Sequence, residues 1–227
     1  EDLGIKVYQA RRYDLKSESD QQYLVSQNLD LIIVNGWQRL LPEWLLDSLS
    51  IGAFGMHGAS RPLPHGRGRS PMNWSLIQGK SEFFTHLFKY LPGVDDGPIV
   101  GYQRFQINEW DDAQTCHFKN TLSMLKLLED HLPSIISGQV VYTPQPNHGA
   151  SFYPKRTAED GLICWKDTSS EIYNLIRAVT KPFPGAFTYL SNDEEQKLTI
   201  WKAHPFDMVL QFDKYSAGQI IKVFAGG

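Results

Sequence analysis

The chain has 227 residues, 41% of them hydrophobic and 12% aromatic, and a formal net charge of -3 with a pI near 6.2. A chain of this kind buries a sizeable core and reads as globular, with room for one full domain and a smaller second one, rather than as a disordered or fibrous protein. Its mild acidity excludes a broad electrostatic case for nucleic-acid or anionic-membrane binding, although a local basic patch can still serve one phosphate-bearing ligand.

In chain order, Glu1-Asp2-Leu3-Gly4-Ile5-Lys6-Val7 reads as a loop leading into a strand, and Val223-Phe224-Ala225-Gly226-Gly227 as a strand about to turn, so both ends are expected to be cut. Leu31-Ile32-Ile33-Val34, bounded by Asp30 and Gly36, has the pattern of a strand buried on both faces of a parallel sheet. Pro42 opens a helix whose apolar positions are Trp44, Leu45, Leu46 and Leu49. Gly52 ends it before a second short strand, Ala53 to Met56, which makes a β-α-β unit. Functional groups in such sheets gather at the carboxyl edge of the strands, where the stretch from His57 to Arg69 falls.

Ser70 as cap and Pro71 at the first helical position open a short helix holding Trp74, Leu76 and Ile77, with Gly79 as its exit. A longer amphipathic helix is expected from about Ala113 to Leu132, with Phe118, Leu122, Leu125, Leu128 and Leu132 as its stripe and Pro133 as its stop. Pro144-Gln145-Pro146-Asn147-His148-Gly149 reads as a linker. Thr168-Ser169-Ser170-Glu171 is a capping-box sequence ahead of an apolar face of Ile172, Leu175, Ile176 and Val179, and Pro182 stops that helix. Leu198 to Trp201, Met208 to Leu210 and Ile220 to Val223 read as short strands of a small β domain.

Cys116 and Cys164 form no Cys-x-x-Cys pair and are read as two buried thiols, with no zinc site, other metal or disulfide framework expected. No run approaches the roughly 20 apolar residues that span a bilayer, and no apolar signal core opens the chain. A soluble, cytoplasmic protein without a membrane partner is expected.

The loop from Gly55 to Trp74 is rich in Gly and Pro yet carries His57, His65, Arg61, Arg67 and Arg69. So little apolar surface beside so many functional groups favours function over packing. Asp95-Asp96 downstream reads by itself as a surface turn. Combined with a strand-end histidine, a distant loop aspartate suits amine acylation, because the imidazole handles a proton near neutral pH and the carboxylate orients it.

His57 followed by Leu63-Pro64, then Arg67-Gly68-Arg69-Ser70-Pro71, Asn73-Trp74 and Val94-Asp95-Asp96-Gly97-Pro98-Ile99-Val100, resembles the folate-dependent formyltransferase family. Ile163-Cys164-Trp165-Lys166 through Pro182-Phe183-Pro184-Gly185-Ala186-Phe187-Thr188-Tyr189 is similar to that family's passage into its C-terminal domain.

The resemblance implies an α/β fold: a Rossmann-like formyltransferase domain lacking its N-terminal part over residues 1–145, a linker and connecting helix over 146–180, and a truncated β-barrel-like domain over 181–227. It implies N10-formyltetrahydrofolate as co-substrate, His57 as proton handler, and Asp95 as the group that orients the imidazole and a water. Gly55 stands where the family has an asparagine whose amide binds the developing oxyanion. Asn35, at the end of the neighbouring strand, is the preferred substitute and Asn73 the second, either of which equally reads as a turn or cap residue.

By the same resemblance the folate pocket is formed by Trp37, Gln38, Arg39, Leu40 and Leu41 on one side and the loop from Leu91 through Val94 to Asp95 on the other. Leu40 and Leu41 also read as simple core. Arg61, Arg67 and Arg69 suit a phosphate or pyrophosphate, since guanidinium groups bind it bidentately, and Asn73 joins them on the acceptor side. The expected partners are reduced folate and a nucleotide-linked amino sugar, with nucleic acid disfavoured and a homodimer left open. Methionyl-tRNA formylation and a catalytically inactive relative that binds folate or a sugar nucleotide are the competing readings.

Overall fold

The computed structural model describes residues 4–190, 193–207, 209–210 and 213–224. The strand expected near Ile5 to Val7 is absent there: both residues are exposed, 69% and 87%. Glu1 to Leu3 and Ala225 to Gly227 lie outside the described residues.

Helix α1 (Glu18–Ser26) follows, which the apolar pattern did not announce. Local polar groups set it: the Ser17 hydroxyl accepts the Asp20 N–H at 3.1 Å. The buried Asp20 carboxylate in turn accepts the N–H groups of Arg11 and Arg12 and the Tyr8 hydroxyl.

Strands β1 (Leu31–Val34) and β2 (Gly52–Ala59) run parallel, joined through the short helix α2 (Glu43–Asp47), so the expected β-α-β unit is present. Pro42 caps α2 from outside, and Gly52 begins β2 instead of ending the helix. Strand β2 also runs beyond Met56, through His57 to Ala59, because its second half pairs antiparallel with β4 (Glu82–Lys89). The short β3 (Arg67–Gly68) and helix α3 (Pro71–Ile77) lie between them in the chain. Strand β5 (Ile99–Gln106) completes the sheet order β1-β2-β4-β5. The sheet is therefore parallel where it begins and antiparallel where it ends.

Alternation along the strands sorts side chains onto two faces. Phe54 and Leu87 face helix α4 (Ala113–Ile136) and pack against Leu127 and Ile135. Burial of side chains of this size stabilises a fold by about 1.5 to 3 kcal/mol each. Val34 and Ala53 face the other way, packing with Leu15, Leu41, Leu45 and Leu49, and Gly55 and His57 follow Ala53 on that side.

Helix α4 begins at Ala113 as expected, but it passes through Pro133 and ends at Ile136. Its packed side is also not the anticipated stripe: Ala113, Cys116, Leu127 and Ile135 are buried, whereas Phe118, Leu122 and Leu125 are 64%, 51% and 53% exposed. The helix lies close against the sheet, where a Cβ at Gly101 of β5 would overlap the His131 ring. Leu127 and Ile135 pack on Phe54 and Leu87, whereas Ala113 and Cys116 pack with Met72 and Leu76.

Helix α5 (Ser169–Val179) opens with the expected capping box between Thr168 and Glu171. Together with α3 and α4 it encloses a core of Met72, Leu76, Cys116, Ile176 and Val179. Burial pushes the Cys116 thiol up to about 12. Cys164, expected to be buried, is exposed instead, in a turn closed by the Asp167 N–H donating to its carbonyl.

The short strand β6 (Phe152–Tyr153) pairs in parallel with β3. Strands β7 (Ala186–Leu190) and β8 (Asp193–Ile200) form an antiparallel hairpin, the latter containing most of the expected Leu198 to Trp201 strand. The other two strands expected in this region do not form among the described residues. Val209 and Leu210 lie in a turn whose N–H groups both donate to the Asp207 carboxylate, and Ile220 to Val223 are exposed and unpaired as strands. Met208 lies outside the described residues. Among the described residues no helix is long and apolar enough to cross a membrane, and no cluster of potential metal ligands occurs.

Candidate active site

His57 stands on β2 directly opposite His86 on β4. His86 is buried and bridges two pieces of backbone: its Nε2 accepts the Leu63 N–H and its Nδ1–H donates to the His57 carbonyl, each at 3.3 Å. Desolvation brings its pKa down to about 4, so the ring stays neutral and holds both bonds. His86 thereby fixes the strand under His57 and the loop that folds back over it.

The His57 ring lies between two acceptors. Its Nε2–H donates to the Gly66 carbonyl at 2.8 Å, and its Nδ1 is 3.4 Å from Asp95 Oδ2. Since a carbonyl only accepts, Nε2 carries a proton, which leaves Nδ1 as the ring atom that faces Asp95 and can exchange a proton with it. Both side chains are largely enclosed, 9% and 17% exposed, which strengthens their interaction relative to one in water.

Asp95 is held from three directions. Its backbone adopts a left-handed conformation with φ +49. Its Oδ2 accepts the Gly68 N–H at 3.0 Å, and its carbonyl accepts Gln145 Nε2 at 2.7 Å. Gln145 also donates to the Gly97 carbonyl at 2.8 Å and accepts Arg67 Nη2 at 2.6 Å. Gly68 has φ +96, and a Cβ there would come within 2.6 Å of the Tyr153 carbonyl, so this close approach of β3 to β6 requires glycine.

These contacts show that the presumed linker is part of the site. Gln145 ties the Asp95 turn to the arginine loop, Ser151 accepts the Gly66 N–H through its hydroxyl at 2.9 Å, and Phe152 and Tyr153 complete a wall. Gln145 and His86 carried no sequence signal beyond a glutamine between two prolines and a histidine within an apolar strand.

Beside Asp95 opens a cleft of 370 Å³. Of the residues expected to hold folate, Trp37, Gln38, Arg39, Leu40, Gly93 and Val94 line it, joined by Tyr90. Leu41 is instead buried in the core, and Leu91 is exposed beside the same turn without lining the cleft. Asp95, not His57, forms the cleft wall. Its neighbour Asp96 is exposed.

The arginines divide. Arg69 lines the cleft with its guanidinium held by Gln38 Oε1 at 2.6 Å. Arg67 turns inward to Gln145, leaving its buried Nε without a partner among the described residues. Arg61 stands exposed on the loop. Asn73 is buried, and its amide donates to the Ala178 carbonyl at 2.6 Å, joining α3 to α5. Asn35 is exposed just beyond β1 and does not line the cleft.

A family model described as formyl transferase matches residues 2–122, and one described as formyl transferase, C-terminal domain, matches residues 155–227. Among solved structures, a sugar N-formyltransferase from Shewanella is 19% identical with a TM-score of 0.69, over 86% of this chain and 77% of that one. A methionyl-tRNA formyltransferase from Clostridium thermocellum is 19% identical with a TM-score of 0.62, over 78% and 74%. An N-formyltransferase from Helicobacter canadensis, in complex with folinic acid and dTDP-3-aminofucose, is 24% identical with a TM-score of 0.55, over 64% and 53%. At these identities the likeness is one of fold.

Proposed function

The chain belongs to the formyl transferase family, and we propose that it moves a formyl group from N10-formyltetrahydrofolate onto the primary amine of a nucleotide-linked amino sugar. The observation that carries this reading is the enclosed His57–Asp95 pair, 3.4 Å apart, at the wall of a cleft that also holds Trp37 and Arg69.

The chemistry needs what that arrangement offers. As the amine nitrogen bonds to the formyl carbon it must lose a proton, and as the carbon–N10 bond breaks N10 must gain one. A histidine and a carboxylate within reach of each other can take the first proton and return the second, a contribution typically worth about 10²- to 10⁴-fold. Asp95 meets the cleft, so the proton path runs from the amine through this carboxylate, or a water it holds, to His57. Trp37 and Leu40 offer apolar walls for a flat pterin, with Val94 and Gly93 across from them.

On the acceptor side, Arg69 and Arg61 are the groups available to a diphosphate, while Arg67 positions Gln145. A sugar-nucleotide acceptor fits the net charge of -3 better than a tRNA does, and one of the two ligands bound to the Helicobacter canadensis relative, dTDP-3-aminofucose, is of this kind. The division at residues 145 and 180 into catalytic domain, connecting helix and C-terminal β domain is part of the same proposal.

The test is incubation of the full-length protein with N10-formyltetrahydrofolate and a panel of UDP- and dTDP-linked 3-amino and 4-amino sugars, alongside initiator methionyl-tRNA, with products read by mass spectrometry. A formylated sugar nucleotide is the expected product. Formylation of the tRNA alone moves the acceptor to the nucleic acid, and tetrahydrofolate binding without any transfer makes the chain a binding protein.

A further inference from the structure

A tetrahedral intermediate at the formyl carbon places negative charge on the formyl oxygen, and that charge needs a hydrogen-bond donor aimed at it. The Asp95 carboxylate is the wrong sign, and its partner Gly68 N–H is already committed to it. Arg69 and Arg39 reach the cleft; each donates one N–H to Gln38, and their other N–H groups suit the phosphate or carboxylate of a ligand. The Trp37 indole N–H has no partner among the described residues, yet it is sealed from solvent.

Gly55 points to the remaining candidate. It pairs with Val34 on one side and Phe88 on the other, and it shares a sheet face with His57 two residues on. Its backbone is not in the left-handed region, so conformation does not require glycine. Space does. A Cβ at position 55 would overlap the ring edge of Tyr90, with Tyr90 Cζ at 3.2 Å and the Val34 carbonyl at 3.1 Å.

Tyr90 is thus seated where a side chain at position 55 would be. Its N–H donates to the Ala53 carbonyl at 2.8 Å, and its ring stacks on Phe88 with centroids 5.1 Å apart. Tyr90 lines the same cleft as Asp95. Its hydroxyl makes no hydrogen bond to a described residue, and unlike the Trp37 N–H it is not sealed. Burial, and then the nearby Asp95 charge, push the phenol up to about 12, so it keeps its proton near neutral pH.

We propose that the Tyr90 hydroxyl is the catalytic donor to the formyl oxygen, doing from β4's end what a side-chain amide at position 55 would do from β2. Gly55 and Tyr90 are then one exchange: the strand gives up its side chain so that the phenol can occupy the place. The donor gives no proton away, so the transfer balances as before. This inference rests on the formyl-transfer reading.

The test compares wild type, Tyr90→Phe and the double variant Gly55→Asn with Tyr90→Ala, which clears the ring and restores an amide. Formyl transfer to the best acceptor is measured together with tetrahydrofolate affinity and melting temperature. Tyr90→Phe keeps the ring, and its expected loss is about 100-fold in kcat, the typical cost of one such donor. KM and tetrahydrofolate affinity are expected to stay within about twofold, and the folded double variant to recover about tenfold over Tyr90→Phe, amide replacing hydroxyl as the donor.

Active wild type with Tyr90→Phe within about twofold of it overturns the inference and leaves the formyl-transfer reading standing. A loss confined to KM, or a folded double variant with no recovery, also overturns it. Wild type that binds tetrahydrofolate and transfers to no acceptor removes the underlying reading, and the inference with it.

Discussion

On the side of the sheet covered by α4, Phe54, Leu87, Leu127 and Ile135 fill space against one another. On the opposite side, the same strands present Gly55, His57 and His86, and the Tyr90 ring lies against Gly55. The first face is held by dispersion and exclusion of water. The second is held by directed bonds to backbone: His86 to Leu63 and His57, Gly68 to Asp95, Gln145 to Asp95 and Gly97. The difference teaches that stability and chemistry are separable in this sheet, even though alternate residues of one strand supply both.

The sharpest way to break that separation is at His57. Its replacement by alanine is expected to lower kcat by about 10³-fold through loss of the proton carrier. Tetrahydrofolate affinity and the melting temperature should change little. On the opposite face, Leu127→Ala should cost about 3 kcal/mol in urea unfolding, as a buried leucine leaves a cavity. Its kcat per folded molecule should stay near wild type.

His86 joins the two faces, because it serves the site by being neutral. The unfolded chain takes up a proton at this residue near its ordinary 6.5, whereas the folded chain does so only near about 4. Between those values the unfolded state binds more protons, so stability is complete above the window and falls as the pH drops through it. The loss is on the order of 3 kcal/mol. Urea unfolding from pH 7 to 4 should show this slope, and His86→Gln should flatten it.

Much of the scaffold was legible because it rests on local pattern. The apolar run Leu31 to Val34, the prolines at 42 and 71, and the Thr168–Glu171 box all act within a few residues of themselves. Helix α4 marks a limit of that kind of reading: periodicity announced a helix, but Ala113, Cys116, Leu127 and Ile135 pack while Phe118, Leu122 and Leu125 look outward, since the neighbours that select the packed side come from elements distant in sequence. Helix α1 was silent because Asp20's bonds, not an apolar stripe, organise it.

His57 and Asp95 were legible through the resemblance of their surrounding motifs to the formyltransferase family. Gln145, Ser151 and His86 were not, because their roles are bonds to backbone atoms distant in sequence and leave no periodic trace. Gln145 gives the smallest effect in the series. Gln145→Ala should lower kcat about tenfold, about 1.4 kcal/mol in the barrier, by loosening the Asp95 turn.

The most direct test of the central claim, that His57 and Asp95 act as one unit in formyl transfer, is a double-mutant cycle in single turnover with His57→Ala, Asp95→Asn and the combination. A working unit predicts that the double variant is hardly slower than the slower single variant. Losses that multiply would contradict it, because they would mean that the two side chains contribute independently.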